Sequence, residues 1–221
     1  MGAFITFEGP EGAGKSTVAR RIATRLSGIG HRVILTREPG GTPIGDQIRH
    51  ILLAHHNVDM TPEAEILLFS ASRAQLVRQV IRPALAEGTI VLCDRYADST
   101  LAYQGYGRGL DVHLLRRITA FATDDLRPDL TVLLDVPPEV GLARRRQASQ
   151  AGKEWNRLDS EELDFYRRVR AGYLALAQEE PARWRVVDAA GPLDSVVDEV
   201  WQLVRASLQA QGLKLAGVTG R

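Results

Sequence analysis

Five short apolar runs punctuate the chain: AFITF (3–7), RVILT (32–36), TIVLC (89–93), LTVLLDV (130–136) and RWRVVD (183–188). The runs are continuous rather than alternating, the pattern of strands in a parallel sheet covered on both faces. Between them, apolar residues recur at helical spacing. Val18, Ile22 and Leu26 form one stripe, closed by Gly28. Thr61 and Pro62 read as the cap and first position of a longer helix bearing Leu68, Leu76, Val80 and Leu85, bent or ended at Pro83. Pro137-Pro138 opens a helix directly after the fourth strand, 164–178 predicts another, and Val196, Val200 and Val204 mark a last one. The alternation predicts a doubly wound α/β domain, a five-stranded parallel sheet flanked by helices on both faces, occupying residues 1–209 as one unit. Residues 210–221 are weakly periodic and glycine-containing, which predicts a flexible tail. The polar segment 147–156, QASQAGKEWN, is the candidate mobile surface.

Composition narrows the class. At 221 residues the chain suffices for one domain with a full core, and its formal net charge of +1 argues against a whole-surface nucleic-acid or membrane binder. Cys93 is the only cysteine, so an intrachain disulfide is excluded and a cytoplasmic setting is expected. There is no apolar stretch of membrane-spanning length, and the N-terminal residues lack a charged n-region and an apolar h-region, so no secretory signal is expected. MGAFIT fits an N-myristoylation pattern, but Ala3 to Phe7 reads as a buried strand leading straight into a loop, so no membrane anchor is expected. The pair His55-His56 falls in a predicted loop, where adjacent histidines are ordinarily solvated. Lysine occurs only at Lys15, Lys153 and Lys214, which makes Lys15, inside a glycine loop, stand out.

That loop, Gly9-Pro10-Glu11-Gly12-Ala13-Gly14-Lys15-Ser16 with Thr17 following, matches G-x-x-x-x-G-K-[ST] between an apolar strand and an amphipathic helix. Its glycines let backbone N–H groups turn inward around phosphate oxygens, and the helix points its positive end at the same place. Lys15 suits the β- and γ-phosphates of a nucleoside triphosphate and Ser16 a Mg²⁺ ion. TIVLC ends in Asp94-Arg95, at the strand edge where ligands of open α/β sheets gather, so Asp94 is a candidate for the metal and Arg95 for a phosphate.

Other stretches suit a second substrate. TREPGGT (36–42) offers Arg37 as a phosphate clamp. Phe69 and Arg73 are four apart on one helix face, a ring to stack on a planar base and a head group for its edge. DRYADSTLAYQG (94–105) adds Ser99, Tyr103 and Gln104. Arg144, Arg145, Arg146, Lys153 and Arg157 surround the polar segment, forming a candidate lid over about 144–157 that brings charge to a transferring phosphate.

FEGPEGAGKST, TREPGGT, DRYADSTLAYQG and NRLDSEELDFYRRVRAGYLALA together, in order along nearly the whole chain, resemble the thymidylate kinase family. The resemblance implies a P-loop nucleoside-monophosphate-kinase fold and Mg²⁺-dependent transfer of the γ-phosphoryl group of ATP to dTMP, giving dTDP and ADP. It assigns Phe69 to stacking on thymine, Arg73 to its carbonyl edge, Ser99 and Gln104 to the base, and Tyr103 to the deoxyribose. By the same resemblance Arg37 and Arg95 hold the dTMP phosphate, and Glu11 takes the 3′-hydroxyl, which explains a carboxylate inside a phosphate loop. Where some members carry a basic residue after that acid, this chain has Gly12, so it resembles the bacterial-type enzymes whose lid supplies the catalytic arginine. Arg157 is the first choice for that role and Arg146 the second; the family commonly has Glu where Asp159 stands. Adenine is expected between Arg144 and the loop 188–192. The family usually forms homodimers, and the same is expected here. The rival readings are a kinase for another nucleotide, a P-loop switch or motor, and a non-catalytic nucleotide-binding module.

Overall fold

The computed structural model describes residues 2–152 and 157–213. The chain runs β1 (Ala3–Glu8), α1 (Lys15–Gly28), β2 (Val33–Arg37), α2 (Pro43–Leu53) and α3 (Pro62–Leu76). A π-helical stretch, Val77–Ile81, joins α3 to α4 (Arg82–Ala86), before β3 (Ile90–Asp94) and α5 (Ala97–Thr100). A second π-helical stretch, Leu101–Gly107, leads to α6 (Val112–Thr123), β4 (Leu130–Asp135) and α7 (Pro138–Gln150). A 3₁₀ turn, Arg157–Ser160, then precedes α8 (Leu163–Glu179), β5 (Trp184–Asp188) and α9 (Leu193–Ala210).

The five strands form one parallel sheet in the order β2-β3-β1-β4-β5. β1 lies at its centre, and all six of its residues are buried. Ile5 and Phe7 face a core completed by Ile22 and Leu26 of α1 and by Val200 and Val204 of α9. Phe4 faces the opposite layer, with Leu76, Val77 and Ile81. A third cluster joins Leu133 of β4 to Tyr103, Phe165, Tyr173 and Trp184. The edge strands β2 and β5 are less deeply buried than the three between them, which is why RWRVVD reads as the least apolar of the five.

The register brings chemistry to one end of the sheet. Phe7 and Arg37 both pair with Asp94, so the C-terminal ends of β1, β2 and β3 come out side by side. Glu8, Asp94 and Arg37 stand at that edge, where the strand order departs from β1 in both directions.

The predicted helix at Thr61-Pro62 starts there, with the Thr61 hydroxyl accepting from the Ala64 N–H at 3.3 Å. Pro83 does not end it: the π-helical stretch shifts the hydrogen-bond ladder just before the proline, and the helical path continues to Ala86. Helices α2 and α6 lie where the apolar periodicity predicts no element. Both carry sequence signals, a Thr42 cap before Pro43 and an Asp111 cap accepting from His113 N–H at 2.8 Å. Of the segment expected to be mobile, 147–150 closes α7, while Lys153 and the residues to 156 lie outside the described residues. Of the expected tail, Leu213 packs on the core beside α9, and 214–221 lie outside the described residues.

Candidate active site

The glycine loop leaves β1 and enters α1 at Gly14, whose left-handed conformation caps the helix with no side chain. The first amides of α1 therefore remain available to an anion. Gly12 (φ +72°) touches the start of α7 so closely that a Cβ there would stand 1.9 Å from the Gly141 carbonyl oxygen. The converse holds at Gly141, where a Cβ would lie 2.2 Å from the Glu11 carbonyl oxygen. This close approach seats the lid helix directly on the loop. It also leaves no room for a side chain at position 12, so a basic residue there would displace α7.

Lys15 lies folded under the loop, donating to the carbonyls of Gly9 (3.0 Å) and Pro10 (2.9 Å). Burial and then the nearby Arg95 cation push its ammonium down to about 8, against the pull of Glu11, Asp94 and Glu8. The Ser16 hydroxyl donates to Oδ2 of Asp94. These two hard oxygen donors, already in mutual contact beside Lys15, fit one Mg²⁺, an ion that keeps most of its waters and takes few protein ligands. Among the described residues no group of three or more His, Cys, Asp or Glu side chains forms a metal cage.

Arg95 occupies the centre. Its backbone is left-handed (φ +70°), a conformation costing a non-glycine residue roughly 1–3 kcal/mol, which turns the side chain back across the end of β1. Nη1 donates to the Gly9 carbonyl (3.1 Å), to Ser99 Oγ (3.3 Å) and to the Tyr173 hydroxyl (3.1 Å). Nη2 donates to Glu11 Oε1 (2.7 Å) and to the Tyr103 hydroxyl (2.9 Å), and the guanidinium lies 4.8 Å from the Tyr103 ring centroid. Tyr103 in turn donates to Glu11 Oε1 at 3.2 Å. Burial alone would raise the Glu11 carboxyl, but Arg95, Lys15, the Tyr103 hydrogen bond and Arg145 together bring it below its ordinary value. Its other oxygen, Oε2, takes no hydrogen bond among the described residues.

Beneath Arg95 sits an acid that no sequence motif singles out. Glu8, wholly buried, accepts from Tyr96 N–H (2.7 Å), Ser99 Oγ (2.6 Å) and the Tyr173 hydroxyl (2.8 Å). Burial and the Asp98 carboxylate push its carboxyl up to about 7, against Arg95 and the two hydroxyls. The Ser99 hydroxyl, expected at the base, is thus committed to Glu8 and Arg95.

Arg73 is also fully buried. Its Nε donates to Glu38 Oε2 (2.7 Å) and its Nη2 to the Tyr96 carbonyl (3.2 Å) and Thr100 Oγ1 (3.1 Å), while Nη1 has no partner among the described residues. Burial pushes Glu38 up to about 7, with Arg73 opposing. Gln104 donates from Nε2 to Glu65 Oε1 at 2.8 Å. Arg37 pairs with Asp46 at 3.1 Å, and Arg49 donates to the Pro39 carbonyl at 3.0 Å.

One cleft of about 620 Å³ gathers these groups. Its wall includes Glu11, Gly12, Gly14, Lys15, Ser16 and Thr17 from the loop, together with Arg37, Phe69, Arg73, Asp94, Arg95, Ser99, Tyr103 and Gln104. Of the loop, Gly9, Pro10 and Ala13 stand behind that wall. Glu38 and Thr100, within stretches already read as chemical but assigned no role there, also line it, as does Arg49 of α2, which belongs to no such stretch.

On the lid side the structure separates the arginines. Arg144 lines the cleft and donates to the carbonyls of Ala189 (2.7 Å) and Ala190 (2.8 Å), against the loop where adenine is expected. Arg145 lines it too, held by both oxygens of buried Asp159 (2.9 and 2.6 Å). Arg146 is exposed and off the cleft wall. Arg157 is turned toward α2 and α3, donating to the Leu52 carbonyl (3.2 Å) and pairing with Glu65 beside a second cavity of about 290 Å³. A buried carboxylate outcompetes the open cleft for that guanidinium.

Residues 7–200 match the protein-family model described as thymidylate kinase. A thymidylate kinase of Thermomicrobium roseum is 60% identical over 204 residues, covering 92% of this chain and 95% of that protein. One from Deinococcus radiodurans is 55% identical over 204 residues, covering 92% and 97%. Among solved structures, the thymidylate kinase of Ehrlichia chaffeensis superposes with a TM-score of 0.74 at 34% identity, covering 92% of this chain and 98% of that one.

Glu8 generates a pH-dependent prediction. Its folded value near 7 lies above the ordinary carboxyl value of 4.5, so between those values the folded state holds a proton that the unfolded chain has already lost. Stability from this site is therefore full below about 4.5 and falls as pH rises through about 7. Glu8→Gln, which cannot ionise, removes that loss. From pH 5 to 8, denaturant unfolding is expected to show the variant gaining on the wild type by roughly 3 kcal/mol, at about 1.4 kcal/mol per unit. A constant difference across that range would refute the assignment.

Proposed function

The chain belongs to the thymidylate kinase family and is a phosphotransferase that phosphorylates dTMP with ATP as donor, and we propose that it does so in the cleft at the sheet edge, with Mg²⁺, releasing dTDP and ADP. The observation that carries this reading is the Arg95–Glu11 pair, which puts one residue of the phosphate loop on the acceptor wall. ATP phosphates lie along the open N-terminus of α1, with Lys15 at the β- and γ-phosphates. Ser16 and Asp94 would hold Mg²⁺, which would supply charge neutralisation at those phosphates.

On the acceptor side, Arg37, Arg49 and Arg95 hold the dTMP phosphate. Thymine stacks on Phe69, and the unpartnered Nη1 of Arg73 is the donor for its carbonyl edge. Tyr103 packs beneath the deoxyribose, and the unengaged Oε2 of Glu11 accepts from the 3′-hydroxyl. Ser99 contributes by holding Arg95 rather than by touching the base. No protein nucleophile is needed, because in-line alignment and neutralisation of the transferring group supply most of the catalysis. On the lid, Arg144 and Arg145 are already at the cleft, whereas Arg157 and Arg146 would reach it only if the segment 144–157 rearranges. Adenine lies between Arg144 and the loop it clamps.

We assign homodimer contacts to a surface formed by α2, α3 and α6. Ile44 and Ile51, Leu67 (61% exposed), and Leu114 and Phe121 (91% exposed) stand apolar and uncovered on these neighbouring helices. No helix among the described residues is long and apolar enough to cross a membrane. A cytoplasmic setting is proposed on separate grounds, the single cysteine, Cys93, a buried free thiol.

Coupled ADP release from ATP with dTMP, dUMP, dCMP or dAMP, with and without EDTA, and with no acceptor, tests the reaction. Rapid Mg²⁺-dependent turnover with dTMP, weaker with dUMP, is expected. Equal turnover of another base would displace Phe69 and Arg73 from their roles, and release without acceptor would indicate a nucleotide switch. For assembly, sedimentation is expected to give a dimer for the wild type and a monomer for Phe121→Asp; a monomeric wild type would refute the surface.

A further inference from the structure

Gln104 lines the cleft, but its amide is not free to choose which end it offers. Its Nε2 donates to Glu65 Oε1 at 2.8 Å, and Glu65 is only 1% exposed. Glu65 also accepts from Arg108 through Nε (2.9 Å) and Nη2 (3.2 Å), and from Arg157. Burial would raise this carboxyl, but the two arginines and Gln104 hold it below its ordinary value. An ionised carboxylate can only accept, so the arm of Gln104 turned toward it is the NH₂. The arm left over is the carbonyl oxygen, which takes no hydrogen bond among the described residues. Glu65 lies one turn before Phe69 and two before Arg73 on α3, so one helix carries the ring, the donor and the carboxylate that orients the acceptor.

We propose that Glu65 is a positioning residue for base selectivity, fixing the Gln104 amide so that it presents a carbonyl acceptor beside the Arg73 donor. This rests on the dTMP reading above. The pair is complementary to a ring N–H next to a carbonyl, as in thymine at N3 and C4. Cytosine reverses both: a ring-nitrogen acceptor meets the Gln104 carbonyl, and an amino donor meets the Arg73 guanidinium. A site built to hydrogen-bond one pattern rejects its inverse far more strongly than an apolar pocket rejects a methyl group.

The test compares dTMP with 5-methyl-dCMP, which keeps the methyl group and differs only at N3 and C4. Binding constants and kcat/KM are measured for both with wild type, Glu65→Gln, Gln104→Leu, the double variant, and Arg108→Gln. In Glu65→Gln the new amide can donate as well as accept, so the Gln104 amide is released to rotate. Glu65→Gln is expected to shrink the preference for dTMP at least tenfold, with no further loss when added to Gln104→Leu. Arg108→Gln, which leaves the Glu65–Gln104 bond in place, keeps the preference. A merely structural role would weaken both nucleotides in parallel with the preference intact, and that result would overturn the inference. Should Glu65→Gln fail to fold, Glu65→Gln/Arg108→Gln removes the paired charges together and carries the same comparison. A wild type that does not phosphorylate dTMP would fell the functional reading and this inference with it. A wild type that does, beside an unchanged preference in Glu65→Gln, would fell the inference alone.

Discussion

The site depends on a buried cation being held in place before any anion arrives. Arg95 has its guanidinium wedged between the phosphate loop, the Tyr103 ring and the hydroxyls of Ser99 and Tyr173, and its counter-charge is Glu11 of that same loop. A buried ion pair is not by itself a source of stability, since desolvation offsets most of the attraction. Its consequence here is geometric. The glycine loop cannot move without moving Arg95, so on the proposed reading two anionic substrates would meet a single preorganised electrostatic surface.

Three buried acids complete that surface. Glu8 holds the ring of hydroxyls under Arg95, Glu38 holds Nε of Arg73, and Glu65 holds Gln104. Glu38 and Glu65 each take one polar arm of their partner and leave another without a hydrogen bond among the described residues, Nη1 of Arg73 and the carbonyl oxygen of Gln104. Glu8 and Glu38 sit near 7 because each is buried with limited compensation, while Glu65, met by two arginines, stays ionised. Glu8 and Glu65 lie behind the cleft wall, while Glu38 lines it beside Arg73.

Much of this was legible in the sequence. The central strands and the loop could be read because burial on both faces makes β1, β3 and β4 continuously apolar, and because backbone cradling of phosphate demands glycine at set spacing. Phe69, Arg73, Arg95 and Tyr103, whose stretches stand in one order along the chain, come together on the wall of one cleft. The roles of the supporting acids could not be read: Glu8 stands in FEGPEGAGKST just before the loop and Glu38 in TREPGGT, but neither stretch says which cation or hydroxyl its carboxylate holds. Helices α2 and α6 carried cap signals without a stripe long enough to declare them. Arg157 points away from the cleft for a physical reason. Composition shows that arginines cluster in the lid, but which one faces the cleft depends on the carboxylate that holds each: Asp159 holds Arg145 at the cleft, and Glu65, from a distant part of the chain, holds Arg157 away from it.

The most direct test of the coupling between the two halves of the site is a double-mutant cycle between Glu11→Gln and Arg95→Lys, read in kcat/KM for dTMP. Contacting residues that act as one unit give strongly non-additive losses, and the combined loss is expected to be at least about tenfold smaller than the product of the two single losses. Single losses that simply multiply would contradict the account, because Glu11 and Arg95 would then be serving their substrates independently.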